Sequence, residues 1–418
     1  MEQTELHFPF GHSKLSLGVP SQNLLGTYFP RDEAAAMDEA SLLAGALANP
    51  VGSPRLSQIA RSGQKVVIVT SDLTRPCPSD RLLPPVLDEL AAAGIAPTDI
   101  TVVIALGLHR PMSAAEIEAA VGAEVNARVR VINHDPENTV HLGNTAAGTP
   151  VQIFQPVVEA DLLVCLGNLE FHYFAGYSGG AKAILPGCAS RETLNANHAM
   201  MVHPEASAGR LEDNPVRLDI EEGADMVGVD FILNVLVNGR HQIEEAVAGH
   251  IEKAHRRGCE FVQQRGTVVI PQRAEIVIVS AGGYPSDLNM YQAQKALDNA
   301  AHALCEGGII IWVAECSESM GNKTFEDWLV EADSPQEMLD RIQREFVLGG
   351  HKAAAMAAVM QKADIFLVST LSEELVRACG LVPFYRLDVA LAAALAEVGQ
   401  GAKIIALPQG GSVMPVAS

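Results

Sequence analysis

Short runs of apolar, β-branched residues alternate along this chain with longer stretches rich in Ala, Leu and Glu. A strand that is apolar throughout is buried on both faces, and the stretches between such strands have the length and composition of helices. The alternation predicts an α/β fold with two domains, each a mostly parallel sheet flanked by helices. The predicted strands are 65–70, 101–106, 127–132, 161–167, 275–283, 308–315, 364–370 and 402–408, and the predicted helices are 80–94, 114–121, 190–203, 289–306, 335–346 and 386–398.

The domain boundary is predicted where this pattern changes. Two alternating segments over 229–250 predict an antiparallel hairpin, and Pro271 then interrupts the chain. We therefore expect an N-terminal α/β domain over 1–270 and a C-terminal α/β domain over 271–401. The strand over 402–408 could belong to either sheet, and return of the last segment, 402–418, to the first domain is favoured. The active site is expected in the cleft between the two domains.

Charge and cysteine usage exclude several classes of protein. The chain has 29 basic and 50 acidic residues among 418, so its net charge is −21. Such an acidic chain has no general attraction to nucleic acid or to an anionic membrane. We expect neither a secretory signal in the first twenty residues nor a transmembrane helix, since no apolar run reaches about 18 residues. The seven cysteines form no CxxC pair, which favours reduced thiols and a cytoplasmic location.

Polar residues follow three of the predicted strands. Asp72, Thr74 and Arg75 follow the first strand, His109 follows the second, and His172 follows the fourth. In an open parallel sheet, ligands bind beyond the carboxyl ends of the strands. Taken singly, the aspartate reads as a helix cap, the arginine as a solvated residue and the histidines as ordinary loop residues. Their equivalent positions on successive strands favour a common site.

A glycine-rich segment over 174–187 contains Lys182. Glycines let backbone N–H groups approach an anion closely, and a buried lysine supplies a cation or a nucleophilic amine. The segment lacks the GxxxxGK[ST] and GxGxxG patterns, so phosphate binding and a simple tight turn both stay open on the residues alone. The candidate loop residues are Gly176, Tyr177, Ser178, Gly179 and Gly180.

Two helices carry further candidates. His198 lies within a helix predicted to be capped by Ser190, where it is either a structural histidine or a metal ligand that needs other donors from a cofactor. Tyr291 and Lys295 are four residues apart and Gln292 lies between them, so they lie near one another on a helix. That helix face either binds a carboxylate or is a solvated surface.

These elements together resemble the nickel-dependent lactate racemase family. The resemblance spans nearly the whole chain and rests on DLTRP (72–76), GLHRPMS (107–113), FHYFAGYSGGAKAILPG (171–187), the Thr193…Asn197-His198 helix, and the Tyr291-Gln292…Lys295 face. The 171–198 block is the most specific part, because Lys182 and His198 keep the order and spacing of the family.

The resemblance implies a cofactor and residue roles. The cofactor would be a nickel-pincer nucleotide, a pyridinium-3-thioamide-5-thiocarboxylate mononucleotide with nickel, covalently attached to Lys182. His198 would be the protein ligand to nickel, and His109 and His172 would be the acid–base pair. Arg75, Gln292 and Lys295 would hold the substrate. Asp72 and Tyr291 would support or line that site, Thr74 would contribute to the cofactor site, and the 176–180 loop would lie against the cofactor.

The resemblance also implies the reaction, which is racemisation or epimerisation of a 2-hydroxy acid. One histidine would remove the hydroxyl proton, the α-hydrogen would pass as hydride to the pincer ring, and a planar 2-keto acid would receive it back on its other face. The partners implied are the small 2-hydroxy acid and, transiently, the cofactor-synthesis enzymes. Lactate, malate and longer or sugar acids stay open as substrates, as does assembly into a homo-oligomer.

Two other functions compete with this one. A nicotinamide-dependent 2-hydroxy-acid dehydrogenase would perform related chemistry, but GxGxxG with a downstream acidic residue is missing from the chain. A non-enzymatic binding protein would hold a small molecule between two α/β domains. The pair of histidines at strand ends favours an enzyme over that alternative.

Overall fold

A computed structural model describes residues 2–31, 37–238 and 241–418. Its strands, in chain order, are β1 (Gln3–Phe10), β2 (Ser13–Pro20), β3 (Leu24–Thr27), β4 (Val66–Ser71), β5 (Ile100–Ala105), β6 (Arg130–Asn133), β7 (Thr139–Asn144), β8 (Pro150–Phe154), β9 (Leu162–Asn168), β10 (Phe171–His172), β11 (Gly176–Tyr177), β12 (Phe231–Val237), β13 (Ile243–Gly249), β14 (Thr267–Ile270), β15 (Ala274–Ser280), β16 (Leu304–Val313), β17 (Ala363–Val368), β18 (Val382–Phe384), β19 (Ile404–Leu407) and β20 (Met414–Ala417).

The α-helices lie between these strands. They are α1 (Glu39–Ala48), α2 (Leu56–Ile59), α3 (Ser79–Ala92), α4 (Ala114–Val121), α5 (Ala123–Arg128), α6 (Gln155–Val158), α7 (Arg191–Ala199), α8 (Pro215–Val227), α9 (Ile251–Gly266), α10 (Met290–Ala301), α11 (Lys323–Glu331), α12 (Pro335–Arg344), α13 (Gly350–Met360), α14 (Glu373–Ala378) and α15 (Leu387–Val398). Within the described ranges, no helix combines the length and apolarity needed to cross a bilayer. The predicted α/β fold class is confirmed.

One compact unit comprises Glu33–Gln264. Its six-stranded sheet has the order β13-β12-β9-β4-β5-β6, and every neighbouring pair is parallel except β12 with β13. The predicted hairpin over 229–250 is therefore confirmed as the antiparallel edge of this sheet. Because β9, β4 and β5 are adjacent and parallel, their carboxyl ends lie side by side, which is where the sequence predicts a site.

The core of this unit explains the apolar character of its central strands. Alternate residues of β4, such as Val66 and Ile68, pack with the buried leucines of α3 in one large cluster. The other alternate residues, Val67 and Val69, are also buried on the opposite face. Strands that are covered on both faces gain no benefit from polar residues, so the run is apolar throughout.

The other compact unit comprises Met1–Asp32 and Arg265–Ser418. Its six-stranded sheet has the order β18-β17-β16-β15-β19-β3 and is parallel throughout. The antiparallel pair β1–β2 packs on this sheet, with Phe8 and Val19 in the same core as Ile276 and Ile278 of β15. This unit is thus built from both ends of the chain.

That arrangement differs from the predicted division at both ends. The prediction assigns the first 32 residues to the N-terminal domain, whereas the structure places β3 beside β19, with Gly26 paired to Ile405. The final segment, 402–418, was expected to rejoin the N-terminal domain, but β19 lies between β15 and β3 instead. The physical reason is that β19 completes the burial of β15 on its open edge. The predicted placement of the active site between two domains stays a prediction.

The strand predicted over 127–132 begins too early. Residues Ala123–Arg128 form α5, and β6 starts only at Arg130. The helix continues through Arg128 because Val125 is buried in the core and holds this turn against the sheet.

Candidate active site

Asp72 and His109 meet at the carboxyl edge of the sheet in the unit Glu33–Gln264. Asp72 directly follows β4, and His109 lies in the loop after the neighbouring strand β5. The Nδ1 of His109 lies 2.6 Å from Oδ2 of Asp72. A carboxylate only accepts hydrogen bonds, so Nδ1 carries the proton, and in the neutral ring Nε2 carries the lone pair. The predicted convergence of these two strand ends is confirmed.

Asp72 is held as an anion in a buried position. Burial favours the neutral acid, but hydrogen bonds from His109 and Thr74 and the positive charge of Arg75 outweigh it and lower the pKa of Asp72 below its usual value. Thr74 donates from its backbone N at 3.2 Å and from Oγ1 at 2.7 Å to Oδ1 of Asp72. Thr74, predicted from the sequence as a cofactor contact, is therefore a support for this carboxylate.

His172 lies in a very different environment. It belongs to the short hairpin β10–β11, and its Nδ1 accepts a hydrogen bond from the backbone N–H of Ala175 at 3.3 Å. Burial lowers the pKa of His172 well below its usual value, and the positive charges of Lys182, Arg75 and Arg217 lower it further. His172 is therefore neutral at physiological pH, with its proton on Nε2.

The ring of Phe174 connects the remaining candidates of this unit. It packs edge-on against His172 at 4.6 Å and against His198 at 4.9 Å between ring centroids. The Nζ of Lys182 lies 5.6 Å from the centre of the same ring. His172, His198 and Lys182 therefore surround one buried aromatic side chain.

Lys182 carries an amine in surroundings that disfavour its charge. Burial lowers the pKa of Lys182 well below its usual value, and the nearby positive charges of Arg217 and Arg75 act in the same direction against the opposing effect of Glu170. No residue in the described part of the chain accepts a hydrogen bond from its Nζ. An uncharged amine is nucleophilic, so this lysine can form a covalent bond to an electrophile.

His198 is a buried residue in the last turn of α7. Ser190 caps this helix by accepting from the backbone N of Thr193, as the sequence predicts. The Nδ1 of His198 lies 3.0 Å from the side-chain oxygen of Asn197. The position can supply one imidazole nitrogen to a metal ion.

Several polar groups of the glycine-rich loop form hydrogen bonds within the same unit of the protein. Ser178 donates from Oγ to the carbonyl of Asn168 at 2.8 Å and accepts from the backbone N of Glu170 at 2.8 Å. The backbone N of Gly180 donates to Oδ1 of Asn234 at 2.8 Å. These internal bonds give the loop its shape, and its predicted contact with a cofactor stays a prediction.

Close packing explains why part of this loop is glycine. A Cβ at Gly176, which has a φ of 76°, would lie 1.9 Å from the carbonyl oxygen of Arg210. Gly179 has a φ of 72°, which also favours glycine. The ring of Tyr177 is buried in an apolar cluster and tilted against Phe171 at 5.3 Å, so the side chain predicted to touch a cofactor has a packing role.

Arg75 is exposed and lies near the ionisable residues of the candidate site. Its charge acts on Asp72, His172 and Lys182, which places it electrostatically among them. Across the residues that the structure describes, no carboxylate lies within ion-pair distance of its guanidinium. An exposed arginine of this kind can bind the carboxylate of a small acid in a bidentate manner.

The remaining predicted residues lie together on α10 in the other unit. Asn289 caps this helix by accepting from the backbone N of Gln292 at 3.0 Å. Gln292 is exposed, whereas Tyr291 and Lys295 are half-buried one turn apart. Lys352 donates to the carbonyl of Tyr291 at 2.5 Å and lies 4.2 Å from the centre of its ring. The predicted grouping on one helix is confirmed, and the predicted substrate contact stays a prediction.

Two residues near the site were not predicted from the sequence. Phe174 gives no signal, because a phenylalanine beside other aromatic residues reads as ordinary core. Arg217 on α8 is fully buried and donates from Nε to the carbonyl of Ala175 at 3.1 Å and from its guanidinium to the carbonyl of Tyr177. An arginine within an amphipathic helix normally reads as solvated, so its role in holding the β10–β11 hairpin is visible only in three dimensions.

Family models match both halves of the chain. The lactate racemase N-terminal domain matches residues 10–209, and the lactate racemase C-terminal domain matches residues 269–415. A lactate racemase of Thermoanaerobacterium thermosaccharolyticum is 36% identical, over 98% of this chain and 98% of that protein. A lactate racemase of Lactiplantibacillus plantarum is 33% identical, over 97% of this chain and 98% of that protein.

Solved structures agree with these relatives. The lactate racemase apoprotein from Thermoanaerobacterium thermosaccharolyticum has a TM-score of 0.91 at 36% identity and covers 99% of this chain and 100% of that one. A protein from Thermotoga maritima has a TM-score of 0.64 at 19% identity over 94% of this chain and 100% of that one, which shows the shared fold alone. With two family models, two relatives and the matching architecture in agreement, the chain belongs to the lactate racemase family of isomerases.

Proposed function

We propose that this protein racemises or epimerises a 2-hydroxy acid with a covalently bound nickel-pincer nucleotide. The observation that carries the proposal is the difference between its two histidines. His109 is paired with the Asp72 carboxylate, whereas His172 accepts from a backbone N–H and lies among positive charges. A racemase needs two proton-transfer groups, because the hydroxyl proton leaves one enantiomer and returns to form the other.

His109 is the group prepared to accept a proton. Asp72 holds its proton on Nδ1 and stabilises the imidazolium that forms when Nε2 takes a proton. The carboxylate also fixes the ring orientation, so Nε2 is presented in one direction. We assign His109 the removal of the hydroxyl proton from one enantiomer.

His172 is the second proton-transfer group. With Nδ1 accepting from Ala175, its Nε2 carries the N–H and can donate a hydrogen bond to a substrate oxygen. Loss of that proton from the neutral ring would leave an imidazolate, so His172 donates a proton only after it has itself been protonated, and it accepts one at Nε2 only as the Nδ1–H tautomer. The reverse reaction requires the two rings to exchange roles. The Ala175 contact is long, at 3.3 Å, and is therefore given up at small cost. The negative charge of a bound substrate carboxylate would also favour protonation of His172.

The residues present fit the proposed cofactor. Burial disfavours the charged form of the Lys182 amine and so suits its covalent attachment as a thioamide, and His198 supplies one nitrogen donor. In the described ranges, no cluster of three or more His, Cys, Asp or Glu side chains is arranged to hold a metal ion. One imidazole fits a cofactor that brings its own sulfur and carbon donors. When bound, this group supplies the nickel ion and an electrophilic ring that accepts and returns the α-hydrogen of the substrate.

Substrate binding is assigned to Arg75 and to the α10 residues. A guanidinium holds a carboxylate through two parallel hydrogen bonds, which fixes the orientation of the acid as well as its charge. Gln292, Lys295 and Tyr291 are proposed as further contacts on the strength of the family pattern. Lactate is the first substrate to test, since both curated relatives are lactate racemases.

The experiment that tests the proposal uses protein co-expressed with the cofactor-synthesis enzymes. Each pure enantiomer of lactate is incubated without nicotinamide, and the two enantiomers are separated by chiral chromatography. We expect both reactions to approach an equal mixture without net pyruvate. Peptide mapping should find an adduct on Lys182 and none in Lys182→Ala.

Two results would contradict the proposal. Pyruvate formation that depends on added NAD would identify a dehydrogenase instead. Protein that carries the adduct and nickel yet interconverts neither lactate nor other 2-hydroxy acids would exclude racemisation.

A further inference from the structure

A series of buried hydrogen bonds connects His198 on α7 to helix α8 and to the loop that follows β7. The Oγ1 of Thr145 donates to Oδ1 of Asp219 on α8. The Nδ2 of Asn197 on α7 donates to Oδ2 of Asp219 at 2.8 Å, and Oδ1 of Asn197 lies 3.0 Å from Nδ1 of His198. All four side chains are buried, with Asn197 fully so.

The hydrogen-bond acceptors around Asn197 determine which way its side-chain amide is oriented. The Nδ2 of Asn197 faces a carboxylate oxygen of Asp219 and the carbonyl of Val216 at 3.2 Å, and both of these groups only accept. The amide of Asn197 must therefore present its NH₂ to them and its oxygen to His198. An amide oxygen only accepts, so Nδ1 of His198 must carry a proton and donate it.

We propose that Asn197 and Asp219 are positioning residues that hold His198 as the Nδ1–H tautomer, so that its Nε2 lone pair is directed to a metal ion. The inference rests on the proposed function in one respect, namely that His198 binds nickel. A metal-binding histidine commonly donates its other ring N–H to a protein acceptor, and that bond fixes both tautomer and ring orientation. Here the acceptor is a neutral amide whose own orientation is set by a carboxylate one step away.

A purely structural role is the competing explanation. The Asn197–Asp219 bond joins α7 to α8, and the Thr145–Asp219 bond joins α8 to the loop that follows β7. Residue Glu222, one turn along α8, offers a matched comparison, because its two carboxylate oxygens accept from the backbone N of Ala146 at 2.9 and 3.0 Å. It anchors the same loop to the same helix without contact to Asn197.

The test measures the tautomer directly in the apoprotein. Protein labelled with ¹⁵N-histidine is studied by long-range ¹H–¹⁵N correlation at a pH where the ring is neutral, and the His198 signals are assigned by their loss in His198→Gln. We expect wild type to show the Nδ1–H tautomer. A wild-type protein in the Nε2–H tautomer would overturn the inference, and this result does not depend on any other variant folding.

Two isosteric variants separate positioning from helix anchoring. In Asp219→Asn the new amide can donate to the oxygen of Asn197, which removes the charged one of the two acceptors that hold the Asn197 NH₂. The Asn197 amide can then turn and present N–H to His198, opposed only by the Val216 carbonyl at 3.2 Å. We expect this variant to populate the Nε2–H tautomer, whereas Glu222→Gln keeps the wild-type pattern. An unchanged tautomer in Asp219→Asn, or the same change in both variants, would overturn the assignment.

The second measurement is nickel retention by the holoprotein against a competing chelator. Asp219→Asn should bind nickel roughly 10–100-fold more weakly than wild type, and Glu222→Gln should match wild type. A shifted tautomer with unchanged nickel affinity would overturn the positioning role. Nickel that is equally retained in His198→Ala would instead contradict the ligand role within the proposed function, and leave the tautomer result standing.

Discussion

The Nδ1 of His109 donates to the carboxylate of Asp72 at 2.6 Å, and this bond joins the loops that follow two neighbouring strands. Asp72 is buried, while the side chain of His109 is 30% exposed, so the carboxylate is the buried partner and the ring is the accessible one. The pair thus combines a fixed anion with a partly accessible base. The role of Asp72 in this pair can be tested by replacing its carboxylate with an amide of the same shape.

Asp72→Asn should strongly reduce turnover in both directions with little change in KM. An asparagine can offer N–H or oxygen to His109, so the ring is no longer held with its lone pair on Nε2, and the imidazolium loses its counter-ion. We expect kcat to fall roughly 10²–10⁴-fold, the usual contribution of general acid–base catalysis. Asp88→Asn, on a side chain that is 77% exposed, is the matched control and should keep wild-type kcat. A tenfold or smaller loss in Asp72→Asn would contradict the assignment.

Arg75→Met should raise the pKa of His172 in the apoprotein. Burial is the largest cause of the lowered pKa of His172, and the positive charge of Arg75 lowers it further. A guanidinium stays charged throughout the titration, so removing it stabilises the imidazolium and the ring should titrate at a higher pH than in wild type. NMR titration of the His172 ring protons measures this directly. Lys65→Met, an exposed lysine just before β4, should leave the titration unchanged. A pKa that is unchanged or lower in Arg75→Met would show that the two groups are not coupled.

Phe174→Leu should reduce activity beyond its effect on stability. The ring contacts His172 and His198 and lies near Lys182, so a smaller side chain lets these groups shift. A displacement of about 1 Å at a reacting group can cost roughly 10²-fold in rate. Phe231→Leu is the control, because Phe231 is fully buried in the same unit but packs in the large core cluster.

Both phenylalanine variants should lose about 1–2 kcal/mol of stability by thermal or chemical unfolding. Only Phe174→Leu should lose kcat per folded molecule. Equal losses of kcat in the two variants would show that Phe174 acts through general stability alone.

The fold was largely predictable because its information is local. The apolar runs that become β4, β5, β9 and β15 are buried on both faces, and this leaves a clear signature in sequence. The pairing of β3 with β19 was not predictable, since it joins residues almost 400 positions apart and depends on which sheet edge stays open. Short strands such as β3 also carry too few residues for a periodic signal.

The site was predictable where residue type and strand position coincide. Asp72 and His109 follow adjacent strands and carry reactive side chains, so their meeting follows from the topology. Phe174 and Arg217 could not be found in this way, because their roles depend on burial and on contacts made across the fold. The hydrogen bonds of Ser178 with Asn168 and Glu170 could not be predicted either, since a serine beside glycines is equally typical of an anion-binding loop.

The most direct test of the central claim measures single turnover by His109→Ala and His172→Ala holoproteins with each enantiomer. Both variants should lose steady-state turnover in both directions by roughly 10²–10⁴-fold, because each direction uses both rings. Rapid quenching should then show that each variant still forms the 2-keto acid from one enantiomer, and that the two variants prefer opposite enantiomers. Formation of the 2-keto acid from the same enantiomer at equal rates in both variants would contradict the assignment of the two histidines as bases for opposite enantiomers.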